Sequence, residues 1–253
     1  MVSGIWNKLI KRRRQKKYST PVAKKRLVNI LSFAGDLIDS AESNQEKNDS
    51  IFILIKMLTD KILLDNTMEV IETFETLDYL GPTELFSFEN LLIRNISQQD
   101  SIAIRNKIKK IETIQSVDVN LATDPVLATV WSRQKLPDLW TGLGITENEW
   151  KDTGSHFYNL YLPIGVTFSH TDGNHSTTIG VLKRIGKVTL GADTHNKLYD
   201  ISELYNIIEF DGINYRYIQS KKIIGRAVSF EFGCIFEIGR LLLKNKISFT
   251  AGK

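Results

Sequence analysis

Five consecutive polar residues, Asn174-His175-Ser176-Thr177-Thr178, follow a glycine and sit between an apolar run and a second, helix-like run. Residues 165–168 read as a strand, Asp172-Gly173 as a tight turn, and 176–185 as a helix stopped by Gly186. The first turn of a helix has unpaired backbone N–H groups and the positive end of the helix dipole, so it favours an anion. The hydroxyls and the imidazole add donors, and Lys183 and Arg184 follow one to two turns later. A simple helix cap needs one such side chain, Asn174 or Ser176, with Gly173 for a left-handed turn; this turn supplies five. The reading is a phosphate-binding turn made by Gly173, Asn174, Ser176, Thr177 and Thr178. His175 is its general acid–base group or phosphate ligand, and Asp172 or Asp193 helps hold a divalent ion, Mg²⁺ or Mn²⁺.

All four histidines, His156, His170, His175 and His195, fall within 40 residues, together with Asp152, Asp172, Asp193 and Asp200. Imidazole and carboxylate are both metal ligands and acid–base groups near neutral pH. The spacings match no standard metal signature, so the identity of any metal is open. Asp193-Thr194-His195 follows a short strand at 187–190 and offers a base or ligand opposite His175. Ser155-His156 and Ser169-His170 are sequence neighbours, whose side chains point to opposite faces of a strand and do not meet. Gly-x-Ser-x-Gly, Walker A and dinucleotide glycine motifs are absent.

Charge is distributed unevenly over the 253 residues. The first 26 carry ten basic and no acidic residues, which leaves 23 basic and 29 acidic residues in the remainder, a net of −6. Lys11, Arg12, Arg13, Arg14, Lys16 and Lys17 form the densest part and are read as a nucleic-acid-binding arm. Apolar residues such as Trp6 and Ile10 beside these charges also suit a membrane surface, the less favoured partner; because the charges follow the apolar residues, a signal peptide is not indicated. No apolar run approaches the roughly 18 residues of a membrane span. The single cysteine, Cys234, excludes an internal disulfide and a Cys-rich zinc site, so the expected compartment is the cytoplasm. Its apolar neighbours make it a buried, inert thiol.

The elements that must hold the turn fall into three regions: a basic arm (1–21), a helical region (22–112) and a mixed α/β region (113–253), giving an α+β fold. Helices are expected at 22–37, 51–64, 69–80 and 98–111, with a further start at Thr83 or Ser87 and a loop over 39–50. In the mixed region the expectation is strands at 116–121, 157–162, 164–168 and 187–190. A helix opened by Asp124-Pro125 and a hairpin over 204–218 around Asp211-Gly212 complete it, with 229–244 as a helix or strand–helix pair. Trp131, Trp140, Trp150 and Tyr158 are more naturally core than base-stacking residues.

A strand entering Asp-Gly-Asn-His at the mouth of a helix, then a glycine and another strand, resembles the phosphate-binding turn of the ParB/sulfiredoxin superfamily. The resemblance covers residues 165–188. Ser176 stands where that superfamily usually has arginine, and only Gly180 represents its small residues further into the helix. The turn, with the tryptophan segment 124–131 before it, is also similar to an uncharacterised bacterial family. The resemblance implies a ParB/sulfiredoxin-like fold in the mixed region and binding of a nucleic-acid or nucleotide phosphate. It further implies a nuclease or nucleotide hydrolase acting in bacterial conflict with mobile elements or phage. The competing expectation is a non-catalytic interaction protein, whose helical half binds a protein partner or a second copy.

Overall fold

A computed structural model describes residues 20–73, 88–112, 116–130, 132–145, 148–152, 156–169, 173–191 and 196–249. The N-terminal part is helical and the remainder mixes helices with strands. The first helix, α1 (Thr20–Ser40), buries Ala23, Leu27, Ala34 and Ile38 along one stripe. The loop expected over 39–50 shrinks to three residues. Ser43 Oγ accepts from Glu46 N at 3.1 Å and the Glu46 carboxylate accepts from Glu42 N at 2.8 Å, a reciprocal cap that restarts the helix at once. The resulting helix, α2 (Asn44–Thr73), runs unbroken through the helix expected at 51–64 and into the one expected at 69–80; residues 74–80 and the Gly81-Pro82 stop lie outside the described residues.

Helices α3 (Phe88–Leu92) and α4 (Gln98–Arg105) follow. The helix expected to reach 111 ends early, and β1 (Lys109–Ile111) leaves the helical region to pair with a strand of the mixed region. Next come β2 (Val117–Asn120) and β3 (Val126–Leu127). Here the helix expected after Asp124-Pro125 is wrong. Asp124 accepts from Asn120 N at 2.8 Å and so closes a turn behind it, while Val126 and Leu127 pair in parallel with Thr167 and Phe168. Both residues are buried, and they belong to different core clusters. Burial on both sides of a sheet outweighs the local capping signal.

The short α5 (Leu136–Gly142) leads to β4 (Tyr158–Leu162) and β5 (Val166–Ser169), an antiparallel pair around Pro163, whose peptide bond is cis. Helix α6 (Asn174–Lys183) then connects to β6 (Lys187–Leu190), which pairs with β2 apart from the main sheet. Strand β7 (Lys197–Asp200) completes a five-stranded sheet in the order β1-β7-β4-β5-β3. The expected strand at 204–210 divides into a 3₁₀ turn, Ser202–Asn206, and β8 (Ile208–Phe210). Strand β8 forms a hairpin with β9 (Asn214–Tyr217) across Asp211-Gly212, and β10 (Ile223–Arg226) adds a third strand. The chain then enters α7 (Phe230–Lys244), capped by Ser229.

Alternation along β4 separates the two faces of the main sheet. Tyr158 and Leu160 join the cluster with α6, Trp150 and β6, whereas Tyr161 joins the larger cluster with α1, α2 and α7. Helix α6 therefore lies on the face that carries Tyr158 and, directly across the ladder, Ser169. Among the described residues no helix is long and apolar enough to cross a membrane. Cys234 lies on α7, buried, and burial pushes its thiol well up.

Candidate functional site

Gly173 makes the entry to α6 possible. Its φ of +87° is a left-handed conformation, and a Cβ at this position would lie 2.2 Å from Cδ2 of His156. The helix starts at Asn174, two residues earlier than the sequence suggests, so the polar run forms its first turn.

The structure sends these side chains mostly inward. Asn174 Oδ1 accepts from Thr129 N at 3.3 Å, and Nε2 of His175 lies 3.2 Å from both the N and the O of Ser132. Both residues thus fasten α6 to the segment after β3. Thr177 Oγ1 lies 2.7 Å from the Tyr158 hydroxyl, and Ser176 Oγ donates to Gly173 O at 2.9 Å. Thr177 and Thr178 are fully buried, and Thr178 Oγ1 has no hydrogen-bond partner among the described residues. Burial lowers the pKa of His175, and the positive charge of Lys135 acts the same way against the opposing bond to Ser132. His175 is therefore a neutral imidazole near pH 7. Lys183 is drawn away from the turn and donates to Leu143 O at 2.5 Å. Asp172, Asp193, His170, His195 and the arm residues Lys11, Arg12, Arg13, Arg14, Lys16 and Lys17 lie outside the described residues.

A buried hydroxyl without a partner costs stability that a methyl group of the same shape does not. Thr178→Val should therefore leave stability unchanged or raise it by up to about 1 kcal/mol in urea denaturation. Loss of more than about 1 kcal/mol would show that the hydroxyl makes a bond essential to the fold.

Three further residues complete the turn, two of them, His156 and Asp152, from the histidine–carboxylate cluster seen in the sequence. The imidazole of His156 lies against Gly173, with Nε2 3.4 Å from Ser176 Oγ and Nδ1 3.4 Å from the Tyr158 hydroxyl. Asp152 Oδ1 is 3.8 Å from the same Nδ1. Trp150 packs 6.0 Å from the His156 ring and donates its indole N–H to Ser176 O at 3.1 Å. Burial also raises the pKa of Tyr158, which keeps its hydroxyl protonated. Histidine clustering was the sequence signal for His156, but nothing in the spacing indicated that Ser176, 20 residues away, is the serine that meets it.

Trp150 and Asp152 also line an open groove of about 760 Å³, whose other charged residues are Lys151, Arg184 and Lys187. Among the described residues no three histidine, cysteine or carboxylate side chains converge as a metal site.

Fold and site together define a mixed α/β protein in which a strand, a left-handed glycine and a helix bring two imidazoles to one helix entrance. The chain belongs to a family of unknown function, DUF6710, whose profile matches residues 11–249. Neither the curated proteins nor the solved structures include a match to it.

Proposed function

We propose that the chain binds a phosphate group of a nucleic acid or nucleotide at the first turn of α6 and cleaves a phosphodiester or phosphoanhydride bond there. The observation that supports this is the pair of imidazoles bracketing that turn, His156 against Gly173 and His175 against Ser132. The resemblance of the turn to ParB/sulfiredoxin phosphate-binding turns agrees with it. In this reading the basic arm holds nucleic acid, and Asp172 or Asp193 helps hold a divalent ion, Mg²⁺ or Mn²⁺. The lone buried cysteine supports a reducing, cytoplasmic setting.

The test is incubation of the full chain with labelled RNA and DNA, in Mg²⁺, Mn²⁺ or EDTA, beside a folded His175→Ala variant. Cleavage by the wild type should fall roughly 100-fold or more in the variant. The lowered His175 pKa fixes the sign of the pH dependence. A base of this kind stays unprotonated below the ordinary imidazole range, so cleavage should persist at mildly acidic pH and fall only lower. Cleavage equal in wild type and variant would remove His175 from the mechanism.

One observation favours a second reading, a protein-binding helical half. Ile53, Met57, Leu64 and Met68 are each about half exposed or more and lie along one stripe of α2. If that stripe is the functional surface, neither RNA nor DNA is cleaved, and Ile53→Lys with Met57→Lys abolishes association with a partner or a second copy.

A further inference from the structure

We propose that Ser176 is a nucleophile, activated by His156 and positioned through Asp152, which attacks the phosphorus of a phosphodiester bound at the first turn of α6. This deepens the proposed function and rests on its phosphate reading: the proton transfers fall to His156, and His175 keeps its other role there, as a phosphate ligand. The three side chains come from separate places: Asp152 and His156 from the segment before β4, Ser176 from the third position of α6. They stand in the order a serine relay requires, with Asp152 Oδ1 3.8 Å from His156 Nδ1 and His156 Nε2 3.4 Å from Ser176 Oγ. Such contacts are commonly looser before substrate binds. The Ser176 hydroxyl now donates to Gly173 O at 2.9 Å, and rotation of its hydrogen alone redirects it to Nε2. The tautomer that serves carries its proton on Nδ1, toward Asp152.

The surroundings hold the relay in place. Gly173 leaves no space between its backbone and the His156 ring, the Tyr158 ring meets that imidazole edge-on, and Trp150 ties its indole to the Ser176 carbonyl. The positive end of α6 lies at the nucleophile, where charge develops on the attacked group. Beyond Trp150 and Asp152, a groove that Ser176 and His156 do not themselves line carries Lys151, Arg184 and Lys187, the last paired with Asp118 Oδ2 at 2.9 Å, and so offers positive charge to the rest of a long anionic substrate.

In the step, Ser176 Oγ forms a bond to phosphorus and its proton passes to His156 Nε2. The bond from phosphorus to the leaving oxygen breaks, and that oxygen takes the proton from Nε2. Water, deprotonated by the same nitrogen, then bonds to phosphorus as the bond from phosphorus to Ser176 Oγ breaks; Oγ takes the proton back from Nε2 and the phosphomonoester leaves. Asp152 is a positioning residue that steadies the imidazolium between these transfers.

The experiment treats the full chain with a fluorophosphonate probe and locates the adduct by intact mass and peptide mapping, alongside cleavage of a labelled oligonucleotide. Ser176 should carry a single adduct, formed as fluoride leaves. Ser176→Ala and His156→Gln, checked for folding by thermal melting, should lose both labelling and cleavage. Asp152→Asn should label at least about tenfold more slowly, and the pH midpoint of labelling should move down, because an anion beside Nδ1 favours the imidazolium. A purely structural Asp152 would leave that midpoint in place. Full oligonucleotide cleavage by Ser176→Ala, with no adduct on the wild type, would overturn the nucleophile while the phosphate reading stands. Labelled Ser176 in a protein that neither binds nor cleaves oligonucleotide would overturn the phosphodiester assignment and the phosphate reading with it.

Discussion

Gly173→Ala should destabilise the fold by about 2–4 kcal/mol, the sum of an unfavourable left-handed backbone and a collision with an aromatic ring. The φ of +87° alone penalises any side chain, and the added methyl group would approach His156 Cδ2 to 2.2 Å. The ring cannot simply withdraw, since Tyr158 and Trp150 pack beside it. Urea denaturation of the single and double variants separates the two costs. Gly173→Ala combined with His156→Ala should recover the collision but not the backbone strain, a coupling readable in a double-mutant cycle. Additive effects of the two substitutions would mean that the ring does not press on this turn.

The second large effect belongs to α7. Glu237 is buried; its Oε1 accepts from Phe210 N at 2.8 Å and its Oε2 pairs with Arg240 Nε at 2.9 Å. Arg240 in turn donates to Ile208 O at 2.9 Å and to Tyr205 O. One carboxylate thereby organises the docking of α7 onto β8 and the 3₁₀ turn before it. Glu237→Ala would leave the buried Phe210 N–H without its acceptor and Arg240 without its carboxylate, though still bonded to two carbonyls, and should cost about 1–3 kcal/mol. Glu237→Gln keeps the acceptor for Phe210 N and should cost less. Thermal or urea unfolding of both variants checks the order, and a Glu237→Ala loss below about 1 kcal/mol would contradict it.

Much of the fold was legible where local chemistry is strong. The hairpin at Asp211-Gly212, the strand at 187–190 and the helix capped by Ser229 each depend on a turn or cap encoded within a few residues. The failures occur where distant contacts decide. Asp124-Pro125 carries a helix-opening signature, yet the residues after it are recruited by β5, some 40 positions later. The polar stretch at 39–50 looked like a loop because its composition hides the Ser43–Glu46 cap. At the candidate site the sequence pointed to the turn but not to its wiring. Five polar residues in a row suggested five donors facing a ligand; instead Asn174, His175 and Thr177 are bonded to the segment after β3 and to Tyr158. A one-dimensional pattern reports which groups are present, while their direction is set by the pleat of β4 and the pitch of α6.

The pairing of β1 with β7 has a consequence for synthesis of the chain. Lys109–Ile111 hydrogen-bonds to residues nearly 90 positions later, and Arg26 and Lys61 on the first two helices both reach Glu231 at the start of the last. During translation the N-terminal helices leave the ribosome well before the strand and helix that cover them exist. Closing such long loops is entropically costly and is rewarded only once both ends are present. The larger core, which joins Leu27, Ile51 and Ile55 to Phe210, Phe232 and Phe236, is therefore completed only after α7 has been made, and until then the first two helices have each other to pack on.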